Sequence, residues 1–209
     1  MIELNNLIDG VTAIATSMGV GVACSGLKTW KQQILGNKKY EISIETLIKL
    51  RILLNLVKRF RAPFIPASEA FESYKTKKGV PLDLMDSKEL DQANNYAMES
   101  RWAKVIEAFS DFESSFIKLE VIFSEKKLNE SVGTERITEV LYRLSDAWRQ
   151  HTYYLSQLEK TTLPNKRMEL DQKIETVEKI LYSHMGTEID KELESYYSDF
   201  AKEFKEHTK

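Results

Sequence analysis

Residues 10–27 read GVTAIATSMGVGVACSGL and contain no charged side chain. At about 1.5 Å per residue a helix of this length extends roughly 27 Å, close to the hydrocarbon core of a bilayer at about 30 Å. Glycine, serine and threonine keep its hydropathy modest, so a buried helix of a soluble bundle is the alternative. We interpret the stretch as one transmembrane helix, preceded by a short external tail at residues 1–9.

The charges on either side of residues 10–27 predict its orientation. Glu3 and Asp9 precede the stretch, and no Lys or Arg does. Loops rich in Lys and Arg stay in the cytoplasm, so the N-terminus is expected outside and the rest of the chain inside. Four basic residues that follow the stretch are expected to face the anionic lipid of the inner leaflet: Lys28, Lys31, Lys38 and Lys39.

Small residues in this stretch recur at helical spacing on two neighbouring ridges. Such ridges let helix backbones approach closely, and in lipid this packing drives association. Two adjacent ridges suit a multimer better than a simple dimer, so we expect a homo-oligomer, with a generic anchor as the alternative. The ridges consist of Ala15, Gly19 and Ala23 on one side and of Ser17, Gly21 and Ser25 on the other.

Charge is segregated along the chain. The part from Leu27 to Arg61 has nine basic and two acidic residues, a net charge of +7, whereas residues 62–209 have 21 basic and 28 acidic residues, a net charge of −7. Opposite charges of this size favour pairing within the chain, so we prefer intramolecular ion pairs over a nucleic-acid partner for the basic cluster at residues 58–61.

The rest of the chain shows helical periodicity and no strand alternation, and its 12 Gly and Pro residues leave long uninterrupted segments. We therefore predict an all-α fold, in which the transmembrane helix is followed by an antiparallel bundle of long helices. The predicted segments are a basic juxtamembrane helix at 28–62, a proline-containing connection at 63–86 with an exposed loop at 75–86, and a helical domain at 87–209 that packs with the basic helix. Within that domain the helices are expected at 87–129, 134–160 and 166–207, the last bent or split at 185–187.

Several runs resemble an uncharacterised family of small bacterial proteins. They are Leu27-Lys28-Thr29-Trp30-Lys31, in the family's Leu-x-Thr-Trp-Lys pattern, and Arg61-Ala62-Pro63-Phe64, in its Arg-x-Pro-Phe pattern. A weaker likeness continues through Arg101-Trp102. The resemblance covers about the first 65 residues well and implies an N-terminal membrane segment, a helical C-terminal domain and a place in the bacterial inner membrane. It implies no activity and no site residues.

The chain lacks the motifs of the common catalytic sites. It has no phosphate-binding glycine loop, no His-Glu-x-x-His and no Glu-x-x-His motif, and the lone Cys24 lies in an apolar segment that disfavours the thiolate. Arg149 and His151, beside Trp148 and Tyr153, are candidates to line a polar pocket, although a helix surface flanking a core tryptophan is the favoured interpretation. We therefore predict no catalytic, metal or cofactor-binding residues.

These observations favour a single-pass membrane protein that is not an enzyme. The preferred function is a self-associating, cytoplasm-facing helical module that binds a protein partner not identified by the sequence. The first alternative is an oligomeric effector of the phage-defence type that permeabilises the membrane. A membrane-tethered helical enzyme with an unrecognised site is the second alternative.

Overall fold

The computed structural model describes residues 2–79, 87–123, 132–183 and 188–207, and for residues 2–17, 22, 87, 88, 206 and 207 it describes the backbone alone. Within these ranges the chain forms six helices and no strand, which confirms the all-α prediction there. The helices are α1 (Ile2–Phe60), α2 (Ala67–Lys78), α3 (Ser87–Ile122), α4 (Glu135–Lys160), α5 (Pro164–Leu181) and α6 (Glu188–His207).

α1 is one continuous helix over most of the predicted tail, span and basic helix. No proline occurs before Pro63, and an isolated glycine costs a helix only about 1 kcal/mol relative to alanine. Nothing in this part of the sequence therefore interrupts the helix. It ends two residues before the predicted boundary at residue 62, just ahead of the proline.

A short helix that the sequence analysis did not predict, α2, lies within the proline-containing connection. Pro66 precedes it with φ of −58°, and Gly79 ends it with φ of 70°, a left-handed conformation that glycine adopts without steric cost. The predicted exposed loop at 75–86 is wrong for residues 75–78, which form the last turn of this helix. The part of that loop after Gly79 lies outside the described residues.

The remaining helices follow the sequence pattern closely. α4 begins one residue after the predicted Thr134 and ends at the predicted Lys160. α5 starts at Pro164, whose ring suits the first helical turn. The predicted helix at 166–207 is two helices, α5 and α6, and the expected break at 185–187 lies outside the described residues, as does the predicted end of α3 near residue 129.

The second half of α1 packs antiparallel to α3. The hydroxyl oxygens of Thr46 and Ser115 lie 2.9 Å apart, and the rings of Phe60 and Trp102 lie 4.9 Å apart. Because residue number rises along one helix as it falls along the other, these contacts define the antiparallel register. The buried face of α1 begins at Ile42, so only the part from there to Phe60 belongs to the core.

α6 and the first half of α4 complete a four-helix core. Phe200 of α6 packs on the rings of Phe112 and Phe116 at 5.8 and 6.0 Å. Nη1 of Arg136 on α4 lies 3.0 Å from Oδ2 of Asp199 on α6. The largest wholly buried side chains of the core include Phe60, Leu50, Leu53, Leu119, Ile137, Leu144, Leu193 and Tyr196.

Two helical hairpins extend from the end of the core marked by Phe60. In the first, α2 packs along the start of α3, with the rings of Tyr74 and Tyr96 6.1 Å apart. In the second, α5 packs along the end of α4, where Nε2 of His151 lies 3.2 Å from Oε1 of Glu178. The two hairpins diverge, and residues 61–66 connect α1 to the first of them.

Candidate functional site

α1 extends beyond the bundle as an exposed arm, which we define as residues 18–38. Every residue of the arm whose side chain is described is exposed. A Cβ atom added at Gly19, Gly21, Gly26 or Gly36 would have no atom of another part of the chain within 4 Å. Large apolar side chains of the arm are nevertheless exposed, among them Met18, Val20, Leu27 and Trp30. The arm therefore presents apolar surface that the described part of the chain does not cover.

The residues predicted to pack one anchor against another lie partly on this arm. Gly19, Gly21, Ala23 and Ser25 are exposed there, on a face that the bundle does not cover. The side chains of Ala15 and Ser17 lie outside the described residues. Packing of these ridges against a second copy stays a prediction.

The four lysines predicted to face lipid occupy different surroundings. Lys28 and Lys31 are exposed on the arm. Lys38 lies 3.9 Å from the carboxylate of Glu41, and Lys39, just past the arm, places its Nζ atom 5.0 Å from the centre of the Phe123 ring. The first two are thus the lysines most open to a lipid surface, while Lys39 contacts the end of α3.

In the part of the chain that the structure describes, no helix combines the length and the apolar character needed to cross a bilayer. The predicted span at 10–27 overlaps residues 2–17 and Val22, whose side chains are not described. The transmembrane helix therefore stays a prediction.

A second apolar feature, which we call the stripe, follows one side of α1 from the arm onto the bundle. Successive helical residues turn by about 100°, which places the stripe away from the core-facing side with Ile42, Thr46 and Leu53. Asn37 and Glu41 interrupt it. The stripe consists of six side chains that are 39–62% exposed: Leu27, Trp30, Ile34, Ile44, Ile48 and Ile52.

Two buried arginines hold the segment at residues 61–66, which we call the clamp loop. Arg61 is wholly buried. Its Nε donates to the carbonyl of Ile180 at 3.3 Å, and its Nη1 donates to the carboxylate of Asp190. The N–H of Ser183 donates to the carbonyl of Arg61 at 3.1 Å. Arg61 thus ties the start of the clamp loop to the end of α5 and the start of α6.

Arg101 of α3 holds the same loop from the other side. Its Nη1 donates to the carbonyl oxygens of Arg59 and Ala62 at 3.0 and 3.3 Å, and its Nη2 donates to that of Phe64 at 3.3 Å. Its Nε and Nη2 also donate to the two carboxylate oxygens of Glu69, each at 2.9 Å. These bonds hold the pKa of Glu69 at about 2, below its ordinary value of 4.5.

The basic cluster at the end of α1 pairs within the chain. Nζ of Lys58 lies 3.1 Å from Glu194 on α6, and Nη2 of Arg59 lies 3.2 Å from Glu69. With Arg61 on Asp190, all three basic residues of this cluster have acidic partners from the later part of the chain. The expectation of intramolecular pairing is confirmed here.

The divergence of the two hairpins leaves a cleft of about 700 Å³ above the clamp loop. One wall is α3, with Asp91, Asn94 and Asn95, and the other is α4, with Trp148, His151 and Glu159. The clamp loop residues Ala62, Pro63, Phe64 and Ile65 and the side chain of Tyr182 complete the lining.

Of the two polar residues on α4 that the sequence offered as pocket candidates, His151 lines the cleft and Arg149 does not. His151 lines it and meets the ring of Tyr182 edge-on at 6.0 Å between centroids. Burial and the neighbouring Glu178 carboxylate raise the pKa of Tyr182 above its ordinary value. Arg149 does not line the cleft but donates to Asp146 at 2.6 Å. The sequence offered His151 as a candidate pocket residue but favoured a helix surface there, and it gave no sign of the wall formed by α3.

No group of three or more His, Cys, Asp or Glu side chains within the described ranges could hold a metal ion. Comparison of the chain with known proteins found no matching family model, no matching curated protein and no matching solved structure.

Proposed function

We propose that this protein is a membrane-anchored helical interaction module, without enzymatic activity, whose arm self-associates and whose bundle lies on the cytoplasmic side of a bacterial inner membrane. The observation that carries the proposal is the exposed arm, which continues the uncharged stretch at 10–27 and leaves Leu27 and Trp30 exposed. An indole is favourable at the membrane interface, and Lys28 and Lys31 lie beside it, where anionic lipid would attract them.

Self-association is supported by the stripe on α1. Its six apolar side chains are 39–62% exposed and lie along one side of the helix, so a second copy would bury them. In a parallel pair of α1 helices each stripe residue would meet its own counterpart. A parallel arrangement also sends both arms into the membrane from the same side.

Fractionation of tagged protein from bacterial cells tests the anchor. We expect the protein to sediment with membranes and to resist an alkaline carbonate wash. An aspartate near the centre of a membrane helix costs about 2.5–3.5 kcal/mol, so Val20→Asp should shift protein to the soluble fraction. Tyr142→Asp is the matched control, because Tyr142 is an exposed side chain of α4.

The outcomes of this fractionation are distinct. Wild-type protein in the soluble fraction would overturn the anchor and leave α1 as the exposed helix of a soluble assembly. Equal release of the Val20→Asp and Tyr142→Asp variants would show that attachment does not depend on the uncharged stretch. In-membrane cross-linking of the wild-type protein should yield species larger than a monomer, and a monomer alone would contradict self-association.

A further inference from the structure

The cleft between the two hairpins plays no part in the proposed membrane anchoring. We propose that it binds a basic, partly apolar segment of a partner protein. This inference rests on the proposed function in one respect, since it identifies the chemistry of the partner that the interaction module would bind. It does not depend on the membrane anchor.

The first argument is shape. A volume of about 700 Å³ lies within the range of roughly 300–1,000 Å³ that is typical of ligand pockets in proteins. Two walls of the cleft are regular helices, α3 and α4, and the clamp loop completes the lining. A cleft between two helices suits a peptide segment.

The second argument is charge. Among the described residues, the lining includes the carboxylates of Asp91 and Glu159 and no Lys or Arg side chain. Neither carboxylate has a hydrogen-bond or ion-pair partner within the described part of the chain, in contrast to Glu69 and Asp190 below the cleft, which both hold arginines. Carboxylates on both walls, with no Lys or Arg among the described residues that line the cleft, favour a cationic ligand over an anionic one.

The third argument is the apolar surface that lines the same cleft as these carboxylates. Phe64 at the rim is 72% exposed and Leu155 on the α4 wall is 41% exposed. Trp148 also lines the cleft, while its ring packs at 5.9 Å from that of Phe60. Aromatic rings beside carboxylates bind the aliphatic stem and the charged head of a Lys or Arg side chain, through packing and cation–π attraction.

The fourth argument is rigidity. The exposed ring of Phe64 belongs to the clamp loop, whose carbonyl groups are held by the buried Arg101 and whose first residue is the buried Arg61. Ordering a loop on binding lowers affinity, so a rim that is already fixed favours tight binding. The two arginines thus hold the backbone that carries the exposed Phe64 ring beside the cleft.

Selection from a display library of random 12-residue peptides on the purified full-length protein tests this inference. We expect the recovered peptides to be enriched in Lys and Arg together with apolar residues. The triple variant Phe64→Ala/Asp91→Asn/Glu159→Gln should bind the recovered peptides at least tenfold more weakly. The control is Phe71→Ala/Glu107→Gln/Glu113→Gln, which removes the same groups at exposed positions away from the cleft.

Thermal unfolding of both triple variants tests whether each is folded. If the cleft triple variant is unfolded, the single variant Phe64→Ala replaces it in the binding measurement. Recovery of acidic or uncharged peptides, or equal loss of binding in the control variant, would overturn the inference. Direct binding of spermidine at millimolar concentration, with no peptide recovered, would replace the peptide with a small organic cation and would also overturn it. Peptide binding by a protein that fails the membrane fractionation would leave this inference standing and remove the anchor.

Discussion

The carboxylate of Glu69 accepts two hydrogen bonds from Arg101 and lies 3.2 Å from Arg59, so its negative charge is stabilised in the folded state. With its pKa at about 2 against an ordinary 4.5, this contribution is complete above pH 4.5 and is lost as the pH falls towards 2. Arg101 is only 4% exposed and depends on this partner. Protonation of Glu69 at acid pH therefore lowers the free energy of unfolding of the protein.

We expect Glu69→Gln to lower the free energy of unfolding at pH 7 by about 2 kcal/mol, the usual contribution of hydrogen bonds to a charged group. The variant should also lose part of the decline in stability between pH 4.5 and 2. Urea unfolding across a pH series measures both effects. Glu72→Gln, an exposed neighbour on α2, is the control and should match the wild type within about 0.5 kcal/mol.

The ion pairs at the end of α1 differ in burial and allow a second comparison. Arg61 is wholly buried on Asp190, whereas Lys58 and Glu194 are 42% and 65% exposed. Arg61→Met leaves a carboxylate and a carbonyl without their donor and should cost about 3–5 kcal/mol, while Lys58→Met should cost less than about 1 kcal/mol. Chemical denaturation of the two variants gives the difference, and equal losses would contradict the buried role of Arg61.

At the level of elements, the stripe predicts where two copies of α1 meet. In a Cys24→Ser background, Ile48→Cys should form an intermolecular disulfide under mild oxidation, because a parallel pair places each residue 48 opposite its counterpart. Tyr142→Cys on the exposed face of α4 is the control and should stay monomeric under the same conditions. Non-reducing gel electrophoresis measures the cross-link. Equal cross-linking at both positions would indicate random collision rather than pairing along the stripe.

The sequence predicts elements well where the signal is local. Pro63 and Pro164 act on their own neighbourhood, so the end of α1 and the break before α5 follow from them directly, although α5 begins at Pro164 itself rather than at the predicted residue 166. α2 was missed because its sequence, ASEAFESYKTKK, offers few apolar residues and ends in lysines that read as a loop. Its helix is fixed instead by contact of Ala70 and Tyr74 with Ala93 on α3, which is a tertiary effect.

Local sequence patterns could not predict the partners of Arg61 and Arg101, nor the cleft. Arg61 meets Asp190 across 129 residues, and no spacing rule identifies one acidic residue among the many in the later part of the chain. The Arg-x-Pro-Phe run drew attention to residues 61–64. The hydrogen bonds that hold the carbonyl groups of this segment come from Arg101 on α3, which the run does not indicate. The cleft depends on how far two hairpins diverge, a property of packing that no single segment encodes.

For the whole molecule, we expect the bundle to keep its thermal stability without the arm. Deletion of residues 2–37 should change the thermal midpoint by less than about 2 °C, because the described arm side chains are exposed and the buried face of α1 begins at Ile42. Deletion of residues 2–49 is the comparison. It removes Ile42 and the bond between Thr46 and Ser115, and should lower the midpoint by several degrees. A large effect of the shorter deletion would show that the arm contributes to stability, through contact with the bundle or with a second copy.

Because α1 is one continuous helix, its length determines how far the cleft lies from residues 10–27. At about 1.5 Å per residue, the part of the helix from Leu27 to Phe60 is about 50 Å long. If residues 10–27 span a bilayer as proposed, the helix would place the cleft some tens of ångströms from the lipid headgroups. Physiological salt screens the charge of the membrane surface beyond roughly 8 Å, so the cleft would lie well outside its reach. A positively charged partner would then be recruited by the cleft itself, without competition from the anionic surface beneath it.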